Sequence, residues 1–160
     1  MRALMIVFAL FVASCGFSPL YAPQPGGGPV IGAVSIPMIE GKAGHVLRNE
    51  LDRILSVERG QGEPQTLQIT LREQVTRLGL RVDESASRAD LRLTARYELS
   101  QPEGQRPIRG TVQSVATYVI PTAAFGEIAA QDDARERAAE TLAQRIRADL
   151  ALRLARARRS

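Results

Sequence analysis

The stretch LRLTARYEL, Leu91–Leu99, alternates without a break: Leu91, Leu93, Ala95, Tyr97 and Leu99 take one parity, and Arg92, Thr94, Arg96 and Glu98 take the other. Successive side chains of a β-strand point to opposite faces, so this pattern predicts a strand with one dry face and one wet face. A sheet covered by helices on a single side reads this way, whereas a parallel sheet buried on both sides reads as unbroken apolar runs.

Upstream, Leu67, Ile69 and Leu71 alternate with Gln68, Thr70 and Arg72; Leu78, Leu80 and Val82 then resume on the opposite parity, which predicts a β-bulge near Val75 to Arg77. Downstream, Gln101-Pro102-Glu103-Gly104-Gln105 reads as a turn, and Ile108 to Ile120 as a returning strand stopped by Pro121. The β-branched run Val30 to Ile36, ended by Pro37, predicts a short first strand. From Ala43 to Val57, Val46, Leu47, Leu51, Ile54 and Leu55 fall at helical spacing, with Arg48, Asn49, Asp52 and Arg53 opposite; Gly60-Gln61-Gly62 and Pro64 close that helix. From about Ala123 to Arg158, Ile128, Ala138, Ala139, Leu142, Ile146, Leu150 and Leu154 recur at steps of three and four, and no glycine or proline follows Gly126. A long final helix is predicted, with its acids early and its arginines late, as the helix dipole favours. The order strand, helix, three strands, helix describes an α+β two-layer sandwich: a roughly four-stranded sheet, as in an antiparallel meander, with both helices on one face.

At 160 residues the chain suits one domain, and with aromatics at 4% and no tryptophan its core must be aliphatic. The formal charge is +4 and Lys42 is the only lysine, so almost all the basic charge is arginine, the side chain best shaped for bidentate contact with phosphate or carboxylate. If Leu91 and Leu93 face the helices, Arg92 and Arg96 stand side by side on the open face with Arg72 on the adjoining strand. Three like charges there repel unless an anion or an acidic partner surface sits among them. Separate solvated side chains are the alternative. Arg72, Arg92 and Arg96 are the candidate anion contacts.

Catalytic chemistry has few footholds. The one histidine, His45, opens a helix and reads as a surface residue, and no second histidine or cysteine exists to build a triad or a zinc site. Asp83-Glu84 and Asp132-Asp133 read as solvated pairs, and Gly26 to Gly28 lack the lysine and helix of a phosphate loop. No catalytic, metal or cofactor residue is assigned, and no nucleic-acid partner is expected.

The N-terminus has a different character. Arg2, the apolar run Ala3 to Val12 and the small pair Ala13-Ser14 have the layout of a secretory signal over residues 1–14, too short for a transmembrane span of about 20 residues. Val12-Ala13-Ser14-Cys15 resembles the bacterial lipobox, which implies a diacylglyceryl group on Cys15, cleavage before it and a further acyl chain such as palmitate on its amine; two or more chains make a stable anchor. An ordinary signal with an incidental cysteine is the alternative. Gly16 after the cysteine, in place of aspartate, implies sorting to the outer membrane. Residues 15–29, with Pro19, Pro23, Pro25 and Pro29 around Gly26 to Gly28, read as a tether to a single domain at 30–160.

Cys15-Gly16-Phe17-Ser18-Pro19-Leu20-Tyr21, the element order and the ending TYVIPTAAFGEIAAQDDARERAAETLAQRIRADLALRLA together resemble the lipopolysaccharide-assembly lipoproteins of the LptE family in their alphaproteobacterial form. The resemblance implies a non-catalytic lipoprotein on the periplasmic face of the outer membrane. Such a protein plugs the barrel LptD, helps it assemble and assists insertion of lipopolysaccharide into the outer leaflet. Its partners would be that barrel and lipopolysaccharide. An auxiliary lipoprotein of a periplasmic lipid or solute transporter is the alternative; an envelope enzyme would need a catalytic pair that is not found.

Overall fold

The computed structural model describes residues 34–56, 63–80, 86–101, 105–121 and 123–157. Its elements are β1 (Val34–Ser35), α1 (Gly41–Ser56), β2 (Gln65–Leu80), β3 (Ala86–Leu99), β4 (Ile108–Val119) and α2 (Ala124–Ala157). The four strands form one sheet in the order β1-β2-β3-β4. The signal, Cys15, the tether and the Asp83-Glu84 pair lie outside the described residues.

The α+β architecture matches the expectation, with one difference in the sheet. β2, β3 and β4 form an antiparallel meander, but β1 joins β2 in parallel, through Val34 opposite Gln65 and Ser35 opposite Thr66. Parallel neighbours need a crossover, and α1 supplies it. The sheet is therefore mixed.

Parity along β3 is as the sequence predicts: Leu91, Leu93, Ala95 and Leu99 are fully buried, and Tyr97 is nearly so. They meet Leu47, Leu51, Ile54 and Leu55 of α1 and Ala134, Ala138, Ala139, Leu142, Ala143, Ile146, Leu150 and Leu154 of α2 in one core. Alanines at four of those α2 positions let the helix lie close to its neighbours, so leucine and isoleucine fill the layer without large aromatics. At 34 residues α2 is about 51 Å long and reaches along the whole sheet. Gly44 makes a similar close approach in α1, where a Cβ would sit 2.6 Å from the Ile39 carbonyl oxygen.

Two expectations fail for a common reason. There is no bulge at Val75 to Arg77: β2 and β3 keep a single register from Leu67 opposite Leu99 through Leu78 opposite Arg88 to Leu80 opposite Ala86. Leu78 thus stays on the parity of Arg72 and is 40% exposed. Likewise Ile128, expected in the apolar stripe of α2, is 59% exposed. At this end the apolar layer has run out, and the helix-facing side of β2 carries charge instead. Arg77 pairs with Glu127 at 3.0 Å, and Glu73 pairs with Arg135 at 2.8 Å. Asp132 joins the second pair and also takes Lys42 of α1 at 3.2 Å, so the acids of the opening turns are partnered. Asp133 pairs with Arg137.

One polar group sits inside the apolar layer. Ser114 is fully buried on the helix side of β4, and its hydroxyl donates to the Ala138 carbonyl of α2 at 2.7 Å. That bond fixes helix against strand, and Ser114→Ala is expected to cost about 1 kcal/mol. Urea unfolding should show the midpoint falling with an unchanged slope.

Candidate functional site

The wet face of the sheet is built by the parity that leaves the core. Across β2, β3 and β4 its rows run Gln68–Glu98–Arg109, Thr70–Arg96–Thr111, Arg72–Thr94–Gln113, Gln74–Arg92–Val115, Thr76–Asp90–Thr117 and Leu78–Arg88–Val119. No described helix covers this face, since α2 packs on the opposite side through its buried stripe. The three arginines expected here are brought together. Arg72 lies opposite Thr94, midway between Arg92 and Arg96 on the adjoining strand. With Thr70, Gln74, Thr94 and Gln113 they line one shallow depression.

The electrostatics follow from what is paired. Arg109 holds Glu98 in a fork, with its Nε and one terminal nitrogen at 2.8 and 3.1 Å from the two carboxylate oxygens. The Arg109 hydrogen bond holds the Glu98 carboxyl below the usual carboxylate range. The Thr117 hydroxyl donates to Asp90 at 2.6 Å. Among the described residues Arg72, Arg88, Arg92 and Arg96 have no ion-pair or hydrogen-bond partner. Five arginines against two carboxylates leave the face with a net excess of positive charge, spread over neutral Thr and Gln donors. Such a surface offers forked donors to oxyanions and nothing nucleophilic.

Sequence reasoning missed Arg88, Arg109 and the apolar members Leu78, Val115 and Val119. The signal was present, since all five share the parity of Arg92 once the register is known; register is what one strand read alone lacks.

At the margin of this face a second groove takes in Arg96, Arg109 and Thr111 and reaches round the β4 edge to Tyr97, Gly110 and Arg153. Tyr97 crosses the position of Gly110, and its hydroxyl donates to Asp149 at 2.5 Å. Asp149 also accepts from Arg153 Nε at 2.9 Å. Burial, and then the bond to Asp149, push the Tyr97 hydroxyl well above the ordinary phenol range. Burial also acts to raise the Asp149 carboxyl, but the hydrogen bonds from Tyr97 and Arg153 outweigh it and leave that group below its usual value. A phenol locked to a carboxylate in this way is a structural tie between sheet and helix. His45 is exposed on α1 with Nε2 3.1 Å from the Asn49 side-chain nitrogen.

Comparison with known proteins places this architecture. A protein from Caulobacter crescentus described as a lipoprotein shares 29% identity at a TM-score of 0.62, covering 80% of this chain and 93% of its own. A minor lipoprotein from Acinetobacter baumannii (16% identity, TM-score 0.56, 75% and 91% coverage) shares the fold. So does rare lipoprotein B from Shewanella oneidensis (15%, 0.51, 73% and 93%). None of the curated proteins compared with the chain matches it. Residues 31–150, a span that takes in all four described strands, α1 and most of α2, match the family described as LptE, lipopolysaccharide-assembly, and the chain therefore belongs to that family.

Proposed function

We propose that this protein is an outer-membrane lipoprotein, held on the periplasmic side by lipid on Cys15, that seats in the lumen of an LptD-like β-barrel, helps that barrel assemble and assists passage of lipopolysaccharide to the outer leaflet. Membership of a non-catalytic lipopolysaccharide-assembly family supports the role, and the lipoprotein character of its structural relatives supports the anchor. Residues 1–14 serve as the export signal and 15–29 as the tether to the folded domain. The observation that carries the reading is the sheet face that no described helix covers, with Arg72, Arg92 and Arg96 unpaired among the described residues. The phosphates of lipid A, or acidic groups of a barrel wall, supply the charge this face lacks.

Two measurements test it. The lipidated protein purified in mild detergent should bring down a large outer-membrane β-barrel, and its depletion should strand lipopolysaccharide short of the cell surface; recovery without a barrel and normal surface delivery would end the proposal. Arg92→Glu combined with Arg96→Glu should weaken lipopolysaccharide binding by about tenfold or more, the size expected for losing charge-assisted hydrogen bonds. Unchanged binding would remove both residues from the site.

A further inference from the structure

The open face is not chemically uniform along its strands. One end is polar: Gln68, Thr70 and Thr111, with Glu98 and Arg109 satisfying each other. The middle holds Arg72, Arg92 and Arg96, unpaired among the described residues. Toward the hairpin joining β2 to β3, Val115, Leu78 and Val119 stand on the same face at 46%, 40% and 58% exposure. In the last of these rows Arg88 lies between Leu78 and Val119. An arginine's aliphatic stem adds apolar area beside such neighbours while its head stays in water. Arg92 and Arg88 are four residues apart, which at ~3.3 Å per residue separates their rows by ~13 Å, room for a medium-length acyl chain laid along the strands.

We propose that this face binds an acylated phosphosugar in one direction, with its phosphates at Arg72, Arg92 and Arg96 and its acyl chains over Val115, Leu78 and Val119 toward the β2–β3 hairpin. This rests on the lipopolysaccharide reading above and adds the polarity of the ligand. The reverse orientation lays hydrocarbon on Gln68, Thr70, Thr111 and the Glu98–Arg109 pair, removing water from groups that hydrocarbon cannot replace. The chosen orientation crosses one polar row, Thr76–Asp90–Thr117, where the Thr117 hydroxyl already satisfies one Asp90 carboxylate oxygen. It lays the rest of the hydrocarbon on Val115, Leu78 and Val119, which gain from leaving water.

The test uses the full lipidated chain in mild detergent with two probes: purified diphosphorylated lipid A and the same disaccharide after complete removal of its acyl chains. Wild type should bind both, lipid A the more tightly. Leu78→Thr, Val115→Thr and Val119→Thr combined keep strand-forming side chains, and an unchanged melting temperature checks their fold. This variant should lose about tenfold in affinity for lipid A and none for the disaccharide. A photoreactive side chain at position 119 should capture acyl chains, and one at position 111 the sugar. If wild type binds both probes equally, or the triple variant keeps its affinity for lipid A, the orientation is wrong while anion binding stands. If wild type binds neither, the lipopolysaccharide reading fails and the orientation fails with it.

Discussion

Gly110→Ala is expected to lower the melting temperature of this domain by about 10 °C, corresponding to about 2–4 kcal/mol. The sign is the informative part. A glycine in an extended strand normally gains about 0.4–1 kcal/mol on replacement by alanine, because the unfolded chain loses freedom. Here a Cβ would lie 2.3 Å from the Tyr97 hydroxyl oxygen and 2.4 Å from the ring carbon that bears it. The ring is nearly fully buried, so it must swing out, and with it goes the hydrogen bond to Asp149 at 2.5 Å. The missing side chain on β4 is therefore filled by an aromatic ring from β3, directly across the ladder. Two comparisons isolate the cause. Tyr97→Phe keeps the ring and loses only the hydrogen bond, about 1–2 kcal/mol. Tyr97→Leu combined with Gly110→Ala should cost less than the sum of the two single changes, since the smaller side chain leaves room for the methyl. Strict additivity in that cycle, or a stabilised Gly110→Ala, would show that the ring does not occupy the space.

Little of this contact was legible beforehand. Tyr97 reads as a core position from its parity and is one, but Gly110 carries no sign of its partner in sequence because β3 and β4 meet only through a register that depends on the turn between them. By contrast, the alternation of Leu91 to Leu99 settled the layer arrangement by itself, because a one-residue error would turn five apolar side chains into water. The candidate site was legible to the same depth. Arg72, Arg92 and Arg96 followed from parity on two strands, whereas Arg88, Arg109 and the valines of β4 needed the pairing of all three. Periodicity misled where the core thins. Leu78 and Ile128 are apolar yet exposed, so the rule that apolar residues point inward invented a bulge in one strand and an extra core turn in one helix. The parallel seating of β1 was hidden for another reason: two residues of pairing are too few to mark a direction in sequence.

Leu142→Ala, at the centre of the α2 stripe, is the second large effect, expected at about 3 kcal/mol within a range of about 2–5 for emptying a fully buried leucine site. Its neighbours Ala138, Ala139 and Ala143 are small and backbone-close and cannot collapse into the space, which places the cost away from the low end. The measurement is denaturant unfolding, and its counterpart is the same measurement on Arg92→Glu with Arg96→Glu. Those side chains are exposed and unpaired among the described residues, so their replacement should move stability by no more than about 0.5 kcal/mol. The new glutamates gain an opposite charge diagonally at Arg72 but meet a like one at Asp90 and Glu98, so the two effects offset and keep the change small. The two variants therefore dissociate. On the proposed function, Leu142→Ala should reduce lipopolysaccharide handling only in proportion to the fraction unfolded, with lower temperature toward the stability maximum restoring it; the arginine reversal should weaken handling by about tenfold or more in a protein that melts normally. If both variants lose stability, the wet face is part of the fold's support. If neither loses handling, the anion lies elsewhere and the unpaired arginines are solvated charge, because one parity of this sheet would then have no task beyond facing water.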